Sequence, residues 1–191
     1  MKEEFANIDD LFPTPVLKYR VPESIMQGTQ SYYESKQNLL PQNDQQYSDF
    51  FDEQKDFKLE ELPELHNLIL NAIDLYVEQT GITIKEDSFG YWTQDYRETG
   101  QYHELHAHGV SGISGVYWIQ ANDAAGQFVF HNPDPISYFV PKHRDSKYVS
   151  PKSYIKPAAG MLILFPSYIK HEVEPSKEGA IRATLAFNLT D

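Results

Sequence analysis

The stretch Ile113-Ser114-Gly115-Val116-Tyr117-Trp118-Ile119-Gln120, followed after Asn, Asp and Gly punctuation by Phe128-Val129-Phe130-His131, decides the fold. Both runs are rich in β-branched and aromatic residues, whose side chains suit a pleated, half-buried surface. Both are also too short for an ordinary helix. The same grammar extends in either direction after Gly81, with runs at 88–95, 100–107, 113–120, 126–131, 136–140, 146–156, 161–166, 170–174 and 181–188. Eight or nine short strands at a spacing of about 8–12 residues predict a sandwich or closed barrel.

Upstream, the period changes. From Leu59 to Thr80 the apolar residues Leu62, Leu65, Ile69, Ile73 and Tyr76/Val77 recur at three and four, which predicts a helix. Pro63 suits its first turn and Gly81 its C-terminal stop. Residues 28–57 are polar and predict loop with short helical pieces. The opening Leu11–Val21 predicts a short strand, and Pro13 and Pro15 place it at a sheet edge. The expected architecture is mainly β with some α: a double-stranded β-helix (jelly-roll, cupin-like) barrel with an N-terminal helical layer. It is expected to form one domain over 1–191, with 1–81 as support and 82–191 as the jelly-roll core.

The chain has 191 residues, enough to bury a core without disulfides or a structural metal. It contains no cysteine, which excludes disulfide frameworks, zinc ribbons and thiolate nucleophiles. The net charge of −12 is uneven: −6 over 1–60, −7 over 61–110 and +1 over 111–191. Phosphate neutralisation needs clustered Lys and Arg, so a nucleic-acid partner is disfavoured. No apolar run approaches the roughly 18 residues of a membrane span, and Met1–Asp10 is acidic rather than signal-like. These features point to a cytoplasmic protein; the oligomeric state is left open.

The histidines carry the chemistry. Three lie in Tyr102-His103-Glu104-Leu105-His106-Ala107-His108, and one lies downstream in Phe165-Pro166-Ser167-Tyr168-Ile169-Lys170-His171. Residues two apart on a strand share a face. His106 and His108 therefore present two imidazoles to one side, with His103 expected to face the other way. His171 must come from a separate strand brought alongside. Three ligands on one face of an octahedron leave three positions open, as non-haem Fe(II) oxygenases require. Glu104 shares the face of His106 by the same parity and stands as an alternative carboxylate ligand. Eleven residues after His171, Arg182 and Thr184 share a strand face. A guanidinium can grip a carboxylate with two parallel charge-assisted bonds, and a neighbouring hydroxyl can complete the clamp.

These motifs, taken in order, resemble the 2-oxoglutarate/Fe(II) oxygenase superfamily, and within it a family of small oxygenases of marine bacteria and their phages. The resemblance runs from Leu11-Phe12-Pro13-Thr14-Pro15 through Trp92 and His106-x-His108 to Ser114-Gly115-Val116-Tyr117-Trp118 and Gly126-x-Phe128-Val129-Phe130. It continues through Pro157-x-x-Gly160-Met161-Leu162-Ile163-Leu164-Phe165-Pro166-Ser167, His171-x-Val173 and Arg182-x-Thr184-x-x-Phe187-Asn188. It implies Fe(II) on His106, His108 and His171, with 2-oxoglutarate clamped by Arg182 and Thr184 and the Tyr117/Trp118 pair lining its pocket. It also implies hydroxylation of a small molecule or a protein side chain, with release of succinate and CO2. The superfamily's second motif position is usually Asp or Glu, whereas this chain has His108. Three neutral imidazoles would leave the centre at +2, where a carboxylate would leave +1. Two rival readings stand beside this one: a three-histidine cupin-type dioxygenase without 2-oxoglutarate, and a non-catalytic metal- or ligand-binding jelly roll.

Other candidates read blandly. His66 lies in the helix and suits packing. His143-Arg144-Asp145 has the form of an H-x-D motif, but only 28 residues separate His143 from His171, too few for the intervening strands. The segment 132–157, with Lys142, Arg144, Lys147, Lys152 and Lys156 among aromatics, reads either as a basic lid over the site or as a solvated loop.

Overall fold

A computed structural model describes residues 13–36, 47–50, 57–82, 89–109, 112–133 and 150–189. Its elements run β1 (Leu17–Arg20), α1 (Glu23–Lys36), β2 (Tyr47–Ser48), α2 (Pro63–Thr80), β3 (Phe89–Tyr96), β4 (His103–His106), β5 (Ile113–Ala121), β6 (Phe128–His131), β7 (Lys152–Ile155), β8 (Met161–Pro166), β9 (His171–Val173) and β10 (Arg182–Leu189). The strands form two antiparallel sheets. One has the order β1-β8-β5-β10-β3-β2 and the other β4-β9-β6-β7. This is the expected double-stranded β-helix, a more specific arrangement than the sandwich or closed barrel that the strand spacing alone predicts. The expected strand at 136–140, most of the 146–156 run before β7, and His143 lie outside the described residues.

Period-2 alternation divides the larger sheet between two cores. Tyr117 and Ile119 of β5, Leu162 and Leu164 of β8, and Ala183, Leu185, Phe187 and Leu189 of β10 join Leu65, Ile69, Ala72, Ile73 and Tyr76 of α2 in one cluster. Val116 and Trp118 of β5 and Ile163 and Phe165 of β8 face the other way. There they join Phe128, Phe130, Ile155 and Val173 from the smaller sheet. Burying each such large apolar side chain contributes about 1.5–3 kcal/mol before chain entropy is set against it. Gly115 is required by this packing, because a Cβ there would lie 2.1 Å from the Phe187 ring.

The predicted helix is present with one change at its start. Leu59–Glu61 is a 3-10 turn, and the α-helix begins at Pro63. The proline ring disfavours helical backbone at the residue before it, and Leu62 accordingly sits at φ −122°, ψ 62°. Gly81 ends the helix in left-handed backbone (φ 69°), its N–H donating to the Val77 carbonyl. α1 corrects the expectation of loop with short helical pieces from residue 28, since a 14-residue helix runs to Lys36. Its buried face is only Met26, Thr29 and Tyr33, too sparse a stripe to stand out in a polar sequence. β1 lies at the edge of the larger sheet, just after the two prolines, where their missing donors cost no ladder bond. Among the described residues, no helix is long and apolar enough to cross a membrane.

Candidate metal centre

β9 brings the distal histidine to the proximal pair. β4 pairs antiparallel with β9, with His106 opposite His171. His108 lies just past the end of β4, held by its backbone N–H donating to the Ser167 carbonyl at 2.9 Å. Ser167 is fixed in turn by a buried chain in which its hydroxyl meets Ser114 Oγ at 2.9 Å and Ser114 donates to Asn188 Oδ1 at 2.8 Å. One ligand nitrogen from each of His106, His108 and His171 lies within 4.8 Å of the others, close enough for one ion.

The imidazole hydrogen bonds suit ligation. His106 Nδ1 lies 2.6 Å from the Glu104 carbonyl and His171 Nδ1 lies 2.9 Å from the Ile169 carbonyl. A carbonyl only accepts, so each Nδ1 carries the proton and each Nε2 presents its lone pair. His171 is only 3% exposed, stacked on Phe128 and edged by Phe165. Burial, then the neighbouring His106, holds its pKa down to about 3, against an opposing effect of the Ile169 hydrogen bond. Burial and His106 likewise hold His108 down to about 4. Both rings are therefore neutral at physiological pH, as metal ligands must be.

This has a consequence for the metal-free protein. An unfolded chain binds protons on these histidines as pH falls through their ordinary value near 6.5, while the folded chain does not until about 3–4. Stability is therefore expected to be full above pH 7 and to fall as pH drops through 6.5. His171 alone costs about 2 kcal/mol by pH 5. Melting curves of the metal-free protein at pH 7 and pH 5 measure it; equal melting temperatures would refute burial of neutral rings.

Two expectations about facing are corrected. His103 does not point away, but stacks on His106 with ring centroids 4.1 Å apart and planes 20° apart. The cause is a register shift: three residues from His103 to His106 span two from Val173 to His171. Such a bulge rephases side chains that a regular strand would place on opposite faces. Glu104 is exposed and does not belong to the ligand group. Tyr117 lies in the helix-facing cluster, and its neighbour Trp118 turns to the inner face beside Arg182.

Arg182 is 1% exposed, and among the described residues its Nε and Nη1 have no hydrogen-bond partner; Trp118 Nε1 is likewise buried and unpartnered. The guanidinium carbon sits 4.8 Å from the Tyr96 ring centroid and 5.8 Å from that of Trp118. Burial lowers its pKa, and Tyr96 partly offsets this. Thr184 is also buried, opposite Gln94, its hydroxyl 3.5 Å from the Gln94 carbonyl. Tyr96 connects this region to the histidines, its hydroxyl lying 3.3 Å from His103 Nδ1. On the other flank, Trp92 lies 5.7 Å from the His108 ring and Phe50 4.9 Å from Trp92. Sequence reasoning gave no role to Gln94 or Tyr96, because the register of β3 on β10 is not written in local pattern.

A jelly roll that gathers three imidazoles within reach of one ion has the form of a mononuclear metal-binding protein. A family model described as "Putative 2OG-Fe(II) oxygenase" matches residues 90–188, and the chain belongs to that family. It is thus a 2-oxoglutarate/Fe(II)-dependent dioxygenase, and the family implies iron and 2-oxoglutarate as cofactors. No curated protein sequence matches it. Among solved structures, it is similar to a prolyl-4-hydroxylase from Pseudomonas putida, with TM-score 0.64 and 14% identity over 93% of this chain and 92% of that one. It is also similar to HygX from Streptomyces hygroscopicus, solved with nickel and 2-oxoglutarate bound, with TM-score 0.63 and 10% identity over 93% and 83%. A third is the prolyl hydroxylase of Trichoplax adhaerens, in complex with a hypoxia inducible factor peptide fragment, with TM-score 0.59 and 15% identity over 92% and 83%. At such identities these likenesses establish the fold.

Proposed function

We propose that His106, His108 and His171 hold one Fe(II), that Arg182 and Thr184 clamp the far carboxylate of 2-oxoglutarate, and that the enzyme hydroxylates a small molecule or a peptide side chain. The observation that carries this reading is the buried Arg182, whose Nε and Nη1 lack partners among the described residues and whose neighbour Tyr96 reaches His103, stacked on His106 of the metal group. A guanidinium taken out of water without an acceptor costs several kcal/mol, and a carboxylate arriving between it and the metal removes that cost. A three-histidine dioxygenase without 2-oxoglutarate has no use for such a cation.

Bound iron with 2-oxoglutarate supplies oxidation of a C–H bond, with succinate and CO2 as the co-substrate's products. The chain's own share is binding and orientation. His106 and His171 present Nε2 lone pairs, and His108 adds a third imidazole within reach of the same ion. Main-chain carbonyls of Glu104 and Ile169 fix two of these rings, and the Ser167–Ser114–Asn188 chain sets the loop that carries His108. Phe128, Phe130 and Phe165 exclude water behind His171. Trp118 replaces Tyr117 as the proposed lining residue, its indole N–H turned inward. We propose further that 1–191 acts as one domain, with the whole site carried by 82–191.

The purified protein, incubated with Fe(II), 2-oxoglutarate and oxygen, is expected to release succinate even without its true substrate, slowly and in proportion to iron. Oxygen uptake without succinate would favour the three-histidine alternative, and neither would favour a binding module.

A further inference from the structure

We infer that the Trp118 indole N–H is a third donor to the far carboxylate of 2-oxoglutarate, beside the Arg182 guanidinium. Together the donors select a 2-oxo acid that ends in a carboxylate. This rests on the 2-oxoglutarate reading above and deepens it. Trp118 is fully buried, and among the described residues its Nε1 has no hydrogen-bond partner. An indole nitrogen only donates, whatever its surroundings, so the missing group is an acceptor. The cluster around the ring supplies none, since the side chains of Val116, Phe128, Ile163 and Phe165 present only carbon. A buried donor without an acceptor costs stability, so packing alone does not account for this nitrogen.

Register places the donor with the clamp. Thr184 pairs across the ladder with Trp118, and cross-strand partners project from one face of a sheet. Arg182, two residues along the same strand, shares that face. Its guanidinium carbon lies 5.8 Å from the indole centroid. Arg182 Nε and Nη1 and Trp118 Nε1 are thus three unpartnered N–H groups on neighbouring strands, and none of them can accept. A carboxylate offers about four lone-pair sites on two oxygens, enough for all three, and its charge matches the cation. A neutral end group lacks that charge. A water meets the indole but leaves the buried guanidinium without a counter-charge.

The test uses the whole protein, nitrogen-15 labelled and loaded with Zn(II), which has no redox chemistry. The chain has two tryptophans, so its spectrum carries two indole N–H signals, and the one absent from Trp118→Phe belongs to Trp118. Adding 2-oxoglutarate is expected to move that signal downfield. Oxalate, which chelates the metal but has no far carboxylate, should leave it in place. By calorimetry, Trp118→Phe should raise the 2-oxoglutarate dissociation constant about tenfold, with oxalate and Zn(II) affinities within about twofold of the parent. Should that variant not fold, Trp118→Leu makes the same comparison and the same assignment. A Trp118 signal that 2-oxoglutarate binding leaves unmoved overturns the inference. So does an equal loss of 2-oxoglutarate and oxalate affinity in the variant. A parent protein that binds Zn(II) but no 2-oxoglutarate overturns instead the reading beneath it.

Discussion

Metal affinity in His171→Ala is expected to fall at least about 100-fold, and one divalent ion per chain should become none after dialysis. Structural zinc sites bind with about 10–16 kcal/mol over four protein ligands, roughly 3 kcal/mol per ligand, or about two powers of ten for each one lost. His171 is the ligand least able to be replaced by water, because it is buried between Phe128 and Phe165, with Phe130 nearby. The same packing complicates the alanine variant, since the void left by a buried ring costs about 2–4 kcal/mol of stability. His171→Phe separates the two effects. An apolar ring among three phenylalanines fills the space and relieves the burial of a polar group, so this variant should fold well and still bind no metal. Dialysis against Mn(II) followed by metal analysis of both variants gives the answer. Retained metal in a folded His171→Phe protein rules out the proposed centre.

The fold was legible wherever one periodicity ran undisturbed. Strand runs with Gly and Asn punctuation predicted the barrel, and the three-four recurrence of Leu65, Ile69, Ile73 and Tyr76 predicted α2, because in both cases local pattern and tertiary burial agree. α1 was missed because its stability comes from docking rather than pattern. Met26 and Tyr33 are buried against the sheet, and the Tyr33 hydroxyl bonds the Asp95 carboxylate, a contact 62 residues away in sequence. Strand parity brought His106 and His108 together although His108 lies beyond the strand. It misplaced His103, because a bulge has no sequence signature beyond the residues it rearranges. The Tyr117/Trp118 ambiguity has the same origin. Both residues suit a strand, and only the pairing of β5 with β8 and β10 decides which ring faces the helices and which faces Arg182.

Arg182→Met is expected to move stability and co-substrate affinity in opposite directions. In the protein without ligand, the guanidinium is buried with two nitrogens lacking acceptors, and contact with the Tyr96 and Trp118 rings offsets only part of the desolvation. Replacing a buried uncompensated charge by an apolar side chain of similar length removes that cost, so the melting temperature should rise. The same change removes a charge-assisted, potentially bidentate partner for a carboxylate. The 2-oxoglutarate affinity should therefore weaken by about 2–5 kcal/mol, or roughly 30- to 5,000-fold, with metal affinity unchanged. A residue kept for packing would lose stability on substitution and leave ligand binding alone. A residue kept for function at the expense of stability shows the reverse, the usual trade-off at a binding site. Thermal melts without ligand, and calorimetric titration of the Mn(II)-loaded protein with 2-oxoglutarate, read the two effects separately. A destabilised variant with parent-like 2-oxoglutarate affinity would return Arg182 to the core as a structural residue, and the case for the three-histidine enzyme without 2-oxoglutarate would strengthen accordingly.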